Sequence, residues 1–433
     1  MNKILYQMAL RTFTPEGTLK AATARLAHVA SLGVDIVYLC PFYVQDDDED
    51  PDYWSQRQIA SHTNNPKNPY KINDYFHVDA EYGTEADLKA FVNEAHRLGL
   101  LVLFDLVYLH CGRRAIFIET HPDFVERDEK GNVKVPDRWP FARLNFSSRA
   151  LREYLMQNMT FLVTEYGVDG FRCDVGDSVP LDFWQEAFAY VKKQKPDLIT
   201  LNEGVEPSYI DGTFDMGYSF AFQKRARQIF ARGESASALR VMFENERERY
   251  GKNTKKLMRA LDNHDTASDV GTERNERLMT ARGVDAALVL ATTYEGVPLL
   301  WNGVELCDAA ENCMFSNRDY GRRSAMDWSG AFTADGVRRL KLVKALHALR
   351  HRCAALADGE LIFLENNMPD AVISYLRVLG DARIAVLINT TAAPVTVSLS
   401  GSVVGKRALL RYGARREGKK FRLSPYGYLV MEE

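Results

Sequence analysis

SSRALREYLMQNMTFLVTEYGVDGFRCDVGD, residues 147–177, contains one complete unit of the pattern that organises this chain. Apolar residues at helical spacing run from 147 to Gly167, a residue suited to ending a helix. VDGFRCD then opens apolar, as a buried strand does, and places Arg172, Asp174 and Asp177 where that strand should end. Buried charge is costly unless it is paired. Positions i and i+2 of a strand share a face, so Arg172 and Asp174 project together and Cys173 points the other way. Taken alone, the pair reads equally as a structural ion bridge or as an active-site carboxylate beside its electrostatic partner.

The alternation continues in both directions. Upstream, ILYQMAL (4–10), VDIVYLCPF (34–42) and LLVLFDLV (100–107) read as strands, separated by helical periods at 18–33 and 84–99. The second of these helices has Thr84 as cap, Asp87 three residues on and Gly99 at its end. Downstream, 182–194 reads as a helix, and DLITLNEG (197–204), KLMRALDNHD (256–265) and GVPLLWNG (296–303) as strands. About eight strand–helix units over about 350 residues predict a parallel sheet closed into a (β/α)8 TIM barrel. No glycine-rich phosphate fingerprint follows any strand, which weakens a nucleotide-binding reading. Two segments break the pattern. Residues 108–146 show no clear unit and form an insertion after strand 3. From about 357, AVISYLRVL, ARIAVLINT and YGYLVMEE alternate as strands of a C-terminal antiparallel β-sandwich. The predicted organisation is a barrel over 1–107 and 147–356, a short insertion over 108–146 and a C-terminal domain over 357–433.

A net charge of −3 over 433 residues favours neither nucleic acid nor a membrane as partner. The N-terminus MNKILYQMALRTF lacks a long hydrophobic region and a cleavage site. No window approaches 18 uninterrupted apolar residues. Six cysteines lie scattered without metal-type pairs and read as reduced thiols of a cytoplasmic protein.

In a barrel of this type the active site sits where the strands end. Strand 3 ends with Asp105, with His110 shortly after; strand 4 with Arg172 and Asp174; strand 5 with Asn202 and Glu203; strand 7 with Asn263, His264 and Asp265. Carboxylates without His/Cys clustering suggest glycoside chemistry, in which one attacks or stabilises the sugar cation and another protonates the leaving oxygen. Arg172 should lower the pKa of Asp174, while desolvation and like charge should keep Glu203 protonated. Tyr70, Trp54, Trp139, Phe214, Tyr218 and Trp301 are candidate flat surfaces for sugar rings, with packing the commoner role for each but Tyr70.

In chain order these residues resemble the alpha-amylase family, glycoside hydrolase family 13. DLVYLH (105–110) resembles the family's D-x-x-x-N-H, GFRCD (170–174) its G-x-R-x-D, LNEG (201–204) its acid/base region and LDNHD (261–265) its N-H-D region. GVPLLWNGVE (296–305) and DIVYLCPF (35–42) are similar to its eighth- and second-strand patterns, and NPYKINDYFHVDAEYGT (68–84) to the segment carrying its tyrosine platform, here Tyr70. The resemblance implies Asp174 as nucleophile, Glu203 as general acid/base and Asp265 as transition-state stabiliser. It implies that Arg172 orients Asp174, and that Tyr70, Asp105, His110 and His264 bind the reacting sugar. The implied outcome is retention at an α-linked centre, with nucleophile and acid about 5–5.5 Å apart.

The departures narrow the expectation. Leu109 replaces an asparagine, and Arg143 in FARLN (141–145) an aspartate, that in the family help to hold calcium, so the usual calcium site is expected to be absent and no cofactor is implied. The acidic loop QDDDEDPD (45–52) reads as a solvated loop or a separate cation site. Asp177 and Ser178 stand where many endo-amylases carry Lys-His, which points away from starch and toward α-linked oligosaccharides, here short α-glucosides. The alternatives are a transglycosylase, isomerase or phosphorylase using the same intermediate, or a non-catalytic sugar-binding barrel.

Overall fold

The computed structural model describes residues 3–135, 140–268, 274–320, 325–400 and 405–433. Eight strands form one parallel sheet: β1 (Leu5–Met8), β2 (Ile36–Leu39), β3 (Leu101–Leu106), β4 (Gly170–Cys173), β5 (Ile199–Asn202), β6 (Met216–Gly217), β7 (Met258–Ala260) and β8 (Val297–Trp301). Their spatial order is β6-β5-β4-β3-β2-β1-β8-β7. A parallel bridge from Gly217 to Leu257 joins the two ends and closes the barrel. β1, β2, β4 and β8 are buried at every position. That is why they read as unbroken apolar runs: a parallel strand has core on one face and helices on the other.

The helices follow their sequence signals. Glu85–Arg97 begins with a complete capping box between Thr84 and Asp87. Arg149–Tyr166 ends at Gly167 in the left-handed region. The period at 18–33 is two helices, Leu19–Thr23 and Leu26–Ser31, instead of one. Thr23 bonds back to the Leu19 carbonyl at 2.8 Å, a contact that bends helices. Residues 205–255 contain β6 and three α-helices, Pro207–Ile210, Phe220–Arg232 and Ala238–Tyr250.

A further excursion leaves the barrel after β2. Tyr43–Asp46 pairs antiparallel with Asn68–Val78, and the helix Gln56–Ala60 lies between them. The insertion after β3 contains a two-residue ladder in which His110 faces Arg143 and Cys111 faces Ala142. Together these pieces form one wall over the barrel mouth. Asp46 ties them: it accepts from the Arg113 backbone at 3.0 Å and lies 3.6 Å from Lys71 and 3.7 Å from Arg114.

The C-terminal strands are β9 (Glu360–Phe363), β10 (Val372–Leu379), β11 (Ala382–Asn389), β12 (Val395–Ser398), β13 (Arg407–Glu417) and β14 (Lys420–Glu432). Hydrogen bonding runs unbroken through all six: β14 pairs with β11 and β12, and also with β13. Alternation divides the faces. Ile373, Tyr375, Val386, Ile388 and Val430 join the barrel core, while Val372, Leu376, Leu387, Val397 and Phe421 build a separate one. β13 is an edge strand carrying four arginines, the charge pattern that blunts edge-to-edge pairing. Among the described residues no helix is long and apolar enough to cross a membrane.

Candidate active site

The barrel register assembles the charged centre. Asp105 on β3 lies directly opposite Arg172 on β4, and Cys173 opposite Asn202 on β5. Asp174 and Glu203 each follow the last residue of their strand, where the backbone leaves the sheet. Asp265 sits at the start of a short helix, His264–Ser268, beyond β7.

Arg172 is fully buried and serves three carboxylates. Its Nη1 donates to Asp105 Oδ1 at 2.7 Å and to Asp174 Oδ1 at 2.8 Å, and its Nη2 lies 2.7 Å from Glu203 Oε1. Asp105, also buried, accepts at Oδ2 from Tyr38 (2.7 Å) and Tyr70 (3.0 Å). One guanidinium cannot neutralise three carboxylates. Burial, the largest cause, raises Asp174 well above the usual carboxylate range; Arg172 opposes this, and Glu203 and Asp105 reinforce it. Glu203 is raised in the same way, mainly by burial, with Arg172 opposing and Asp265 and Asp105 adding. Arg172 lowers Asp174 as expected, but burial outweighs it and the neighbouring Glu203 and Asp105 add to the upward shift. Both shifts favour the protonated form within this cluster.

Glu203 is held from three sides. Its N–H donates to the Cys173 carbonyl (3.0 Å), the Gly176 N–H donates to its own carbonyl (3.1 Å), and the Val175 N–H donates to its Oε2 (2.9 Å). Val175 has φ 43 and ψ 43, a conformation costly for a β-branched residue. Asp177 braces the same loop. It accepts from Asn202 at 2.6 Å and from the N–H groups of Val205 (2.5 Å) and Glu206 (2.9 Å). It thereby holds the strand-5 loop that follows Glu203. Gly204 lies so close that a Cβ would stand 2.0 Å from Asp177 Oδ1.

His264 lies between Gln7 Nε2, 2.7 Å from its Nδ1, and the Tyr70 hydroxyl, 3.0 Å from its Nε2. The Tyr70 proton goes to the Asp105 carboxylate, so His264 donates from Nε2 and accepts at Nδ1. The Tyr70 ring stacks on His264 with centroids 5.4 Å apart. Burial lowers His264 to about 4 and His110 to about 3, keeping both neutral near pH 7. His110 Nε2 is 3.9 Å from Asp174 Oδ2. Asp265 accepts from Arg57 Nη1 at 2.6 Å. Burial opposes its ionisation, but His264 and Arg57 outweigh burial and bring it to about 2.

These groups surround a cavity of about 440 Å³. Asp174, Glu203, Asp265, His110, His264 and Tyr70 line it, together with Arg57, Arg143, Phe141 and Phe315. Asp105 and Arg172 lie beneath it. All eight residues expected at the site are therefore brought together. Donor atoms of Glu203, His264 and Asp265 lie within 4.8 Å of one another, but a metal ion there would face the guanidiniums of Arg57 and Arg172. Of the aromatic candidates, only Tyr70 lines the cavity. Phe214, Tyr218 and Trp301 are buried packing, Trp54 bonds to the Asp48 carbonyl, and Trp139 lies outside the described residues. The acidic loop is internally satisfied: Asp46, Asp48 and Asp50 each accept from the N–H two residues on, and Arg113 and Arg114 pair with Asp48 and Asp47. Gln7, Arg57 and Phe315 carry no motif, and Tyr38 and Phe141 fall inside the segments DIVYLCPF and FARLN without being singled out there. The one sequence signal among them is Gln7, an amide inside an apolar strand.

A barrel with these carboxylates at its strand ends defines a class of glycoside-processing enzymes. Residues 7–139 and 138–339 match the alpha-amylase catalytic domain family. The chain belongs to the alpha-amylase family, glycoside hydrolase family 13, and is an enzyme of that kind. It is 29% identical over 428 residues to Alpha-amylase MalA of Haloarcula japonica, covering 93% of this chain and 58% of MalA. It is 27% identical over 415 residues to a cyclomaltodextrinase of Bacillus sp, covering 89% and 68%. The crystal structure of the noncanonic maltogenic alpha-amylase AmyB from Thermotoga neapolitana superposes with a TM-score of 0.82 at 25% identity, covering 100% of this chain and 98% of that one.

Proposed function

We propose that this enzyme hydrolyses α-glucosidic bonds of short oligosaccharides with retention. The observation that carries the proposal is the single buried guanidinium of Arg172 holding Asp174 and Glu203 on neighbouring nitrogens, at 2.8 and 2.7 Å. Two carboxylates gathered on one guanidinium support the close spacing of a retaining pair, in which one attacks the sugar directly. Asp174 forms a bond to the anomeric carbon as the glycosidic C–O bond breaks, and Glu203 passes its proton to the departing oxygen. Glu203 then takes a proton from water, whose oxygen displaces Asp174. Asp265, ionised throughout, supports the positive charge that develops on the sugar. Neutral His110 and His264, with Tyr70, offer donors and an apolar face to the same ring.

A cavity of about 440 Å³ suits a small ligand, and relatives carry the names cyclomaltodextrinase and maltogenic alpha-amylase. A calcium ion does not fit at its usual family position: Leu109 offers no donor and packs against the core, and the Arg143 guanidinium would repel a cation. Activity is accordingly expected to survive EDTA. Six free thiols fit a cytoplasmic protein. The test is a panel of α-linked di- and trisaccharides with products identified by NMR, which reads retention and transfer together. Asp174→Asn and Glu203→Gln should each lower kcat by about 10⁴-fold or more. Wild-type turnover in either variant would end the assignment.

A further inference from the structure

Arg57 reaches the site from outside the barrel. It belongs to the short helix Gln56–Ala60 of the excursion after β2, 208 residues away in sequence from the carboxylate it meets. The helix is anchored. Ser55 caps it through the Gln58 N–H at 3.1 Å, and buried Gln58 donates to the carbonyls of Asn65 (2.8 Å) and Pro66 (2.9 Å). Buried Asn65 in turn donates to the Phe315 carbonyl at 3.0 Å, tying the excursion to the chain beyond β8. From this base Arg57 Nη1 donates to Asp265 Oδ1 at 2.6 Å and Nη2 to the Asp265 carbonyl at 3.2 Å. Two contacts from one planar group fix both the side chain and the backbone of residue 265. Asp265 Oδ2 has no hydrogen-bond partner among the described residues, and both Arg57 and Asp265 line the cavity.

We propose that Arg57 is the positioning residue for Asp265: it fixes one carboxylate oxygen so that the other is presented to the reacting sugar. This inference rests on the glycosidase reading above. A guanidinium 2.6 Å away also damps the negative charge that Asp265 offers. The benefit is therefore geometric, and it depends on the fork of Arg57 as much as on its charge. Misplacement of a positioned group by about 1 Å costs on the order of 10²-fold in rate.

The experiment measures kcat and KM of Arg57→Ala and Arg57→Lys with 4-nitrophenyl α-glucoside and with maltotriose, beside melting temperatures. Both variants should lose roughly 10–100-fold in kcat, with KM changed less. Guanidinium chloride at millimolar concentration should restore part of the activity of Arg57→Ala and none of that of Arg57→Lys, where the ammonium fills the space. A merely structural arginine would move the melting temperature without rescue. Should Arg57→Ala fail to fold, Arg57→Lys alone decides: wild-type kcat there overturns the proposal, as does kcat within twofold of wild type in a folded Arg57→Ala. Asp174→Asn is measured in parallel. If it stays active, the glycosidase reading has failed; if it is inactive while the Arg57 variants work normally, only the positioning role has failed.

Discussion

Replacing Arg172 with Met removes one cation from among three buried carboxylates. In the folded protein Asp105, Asp174 and Glu203 lie 2.7, 2.8 and 2.7 Å from its nitrogens. Removing one partner of a buried ion pair costs roughly 3–5 kcal/mol, because a charge is left uncompensated. At pH 7 the variant should therefore lose about that much. The sign of its pH dependence follows from linkage. Without Arg172 the folded Asp174 and Glu203 carboxyls move further up, so the folded state binds protons more tightly than the unfolded chain, whose carboxyls titrate near 4. The penalty is absent at low pH, sets in as pH rises above about 4 and grows through the raised folded values. About half of the loss at pH 7 should be recovered by pH 5. The assay is thermal and urea unfolding of both proteins at constant ionic strength from pH 5 to 8. A loss of equal size at every pH would show that Arg172 acts through packing and would refute the electrostatic account. Adding Asp105→Asn to Arg172→Met should regain stability at pH 7, since one unpaired charge is gone.

The shared proton of Asp174 and Glu203 should set the alkaline limb of the activity profile. Asp105 raises both groups, so Asp105→Asn should move that limb in kcat/KM to lower pH, whatever happens to its height. Gly204→Ala places a Cβ 2.0 Å from Asp177 Oδ1 and displaces the loop that carries Glu203. It should lower kcat by about 10²-fold while far-ultraviolet circular dichroism stays unchanged.

Much of the barrel was legible in the sequence because its strands are buried on both faces and its helices carry caps. Seven of the eight residues gathered at the cavity were legible because strand ends in a barrel converge on one rim; Tyr70, on the excursion after β2, was legible only through the family resemblance. What stayed hidden has physical causes. β6 is two residues long, too short for any periodicity, and it is defined by its neighbours β5 and β7. The excursion after β2 has irregular register, so its strands never alternate cleanly. The upward shift of Asp174 is not legible because its main cause is burial in the assembled barrel, and space adds two further carboxylates on the guanidinium that sequence shows beside Asp174 alone. The bracing part of Asp177 is hidden because its acceptors point at backbone N–H groups 28 and 29 residues on, contacts that no local pattern encodes.

The charge balance of the site is divided between separately folded pieces. β3, β4 and β5 supply Asp105, Arg172, Asp174 and Glu203, a set with an excess of negative charge that favours a retained proton. The excursion supplies Tyr70 and Arg57, and Asp265 gains its guanidinium partner only when that excursion is seated. Its seating depends on Asp46, whose contacts to Lys71 and to residues 113 and 114 link it to the insertion after β3. A barrel with the excursion displaced would keep its nucleophile and acid but lose the arginine on Asp265 and the tyrosine between Asp105 and His264. Chemistry at the anomeric carbon and recognition of the ring would then separate. Damage to the Asp46 contacts should therefore appear in catalysis before it appears in the stability of the barrel.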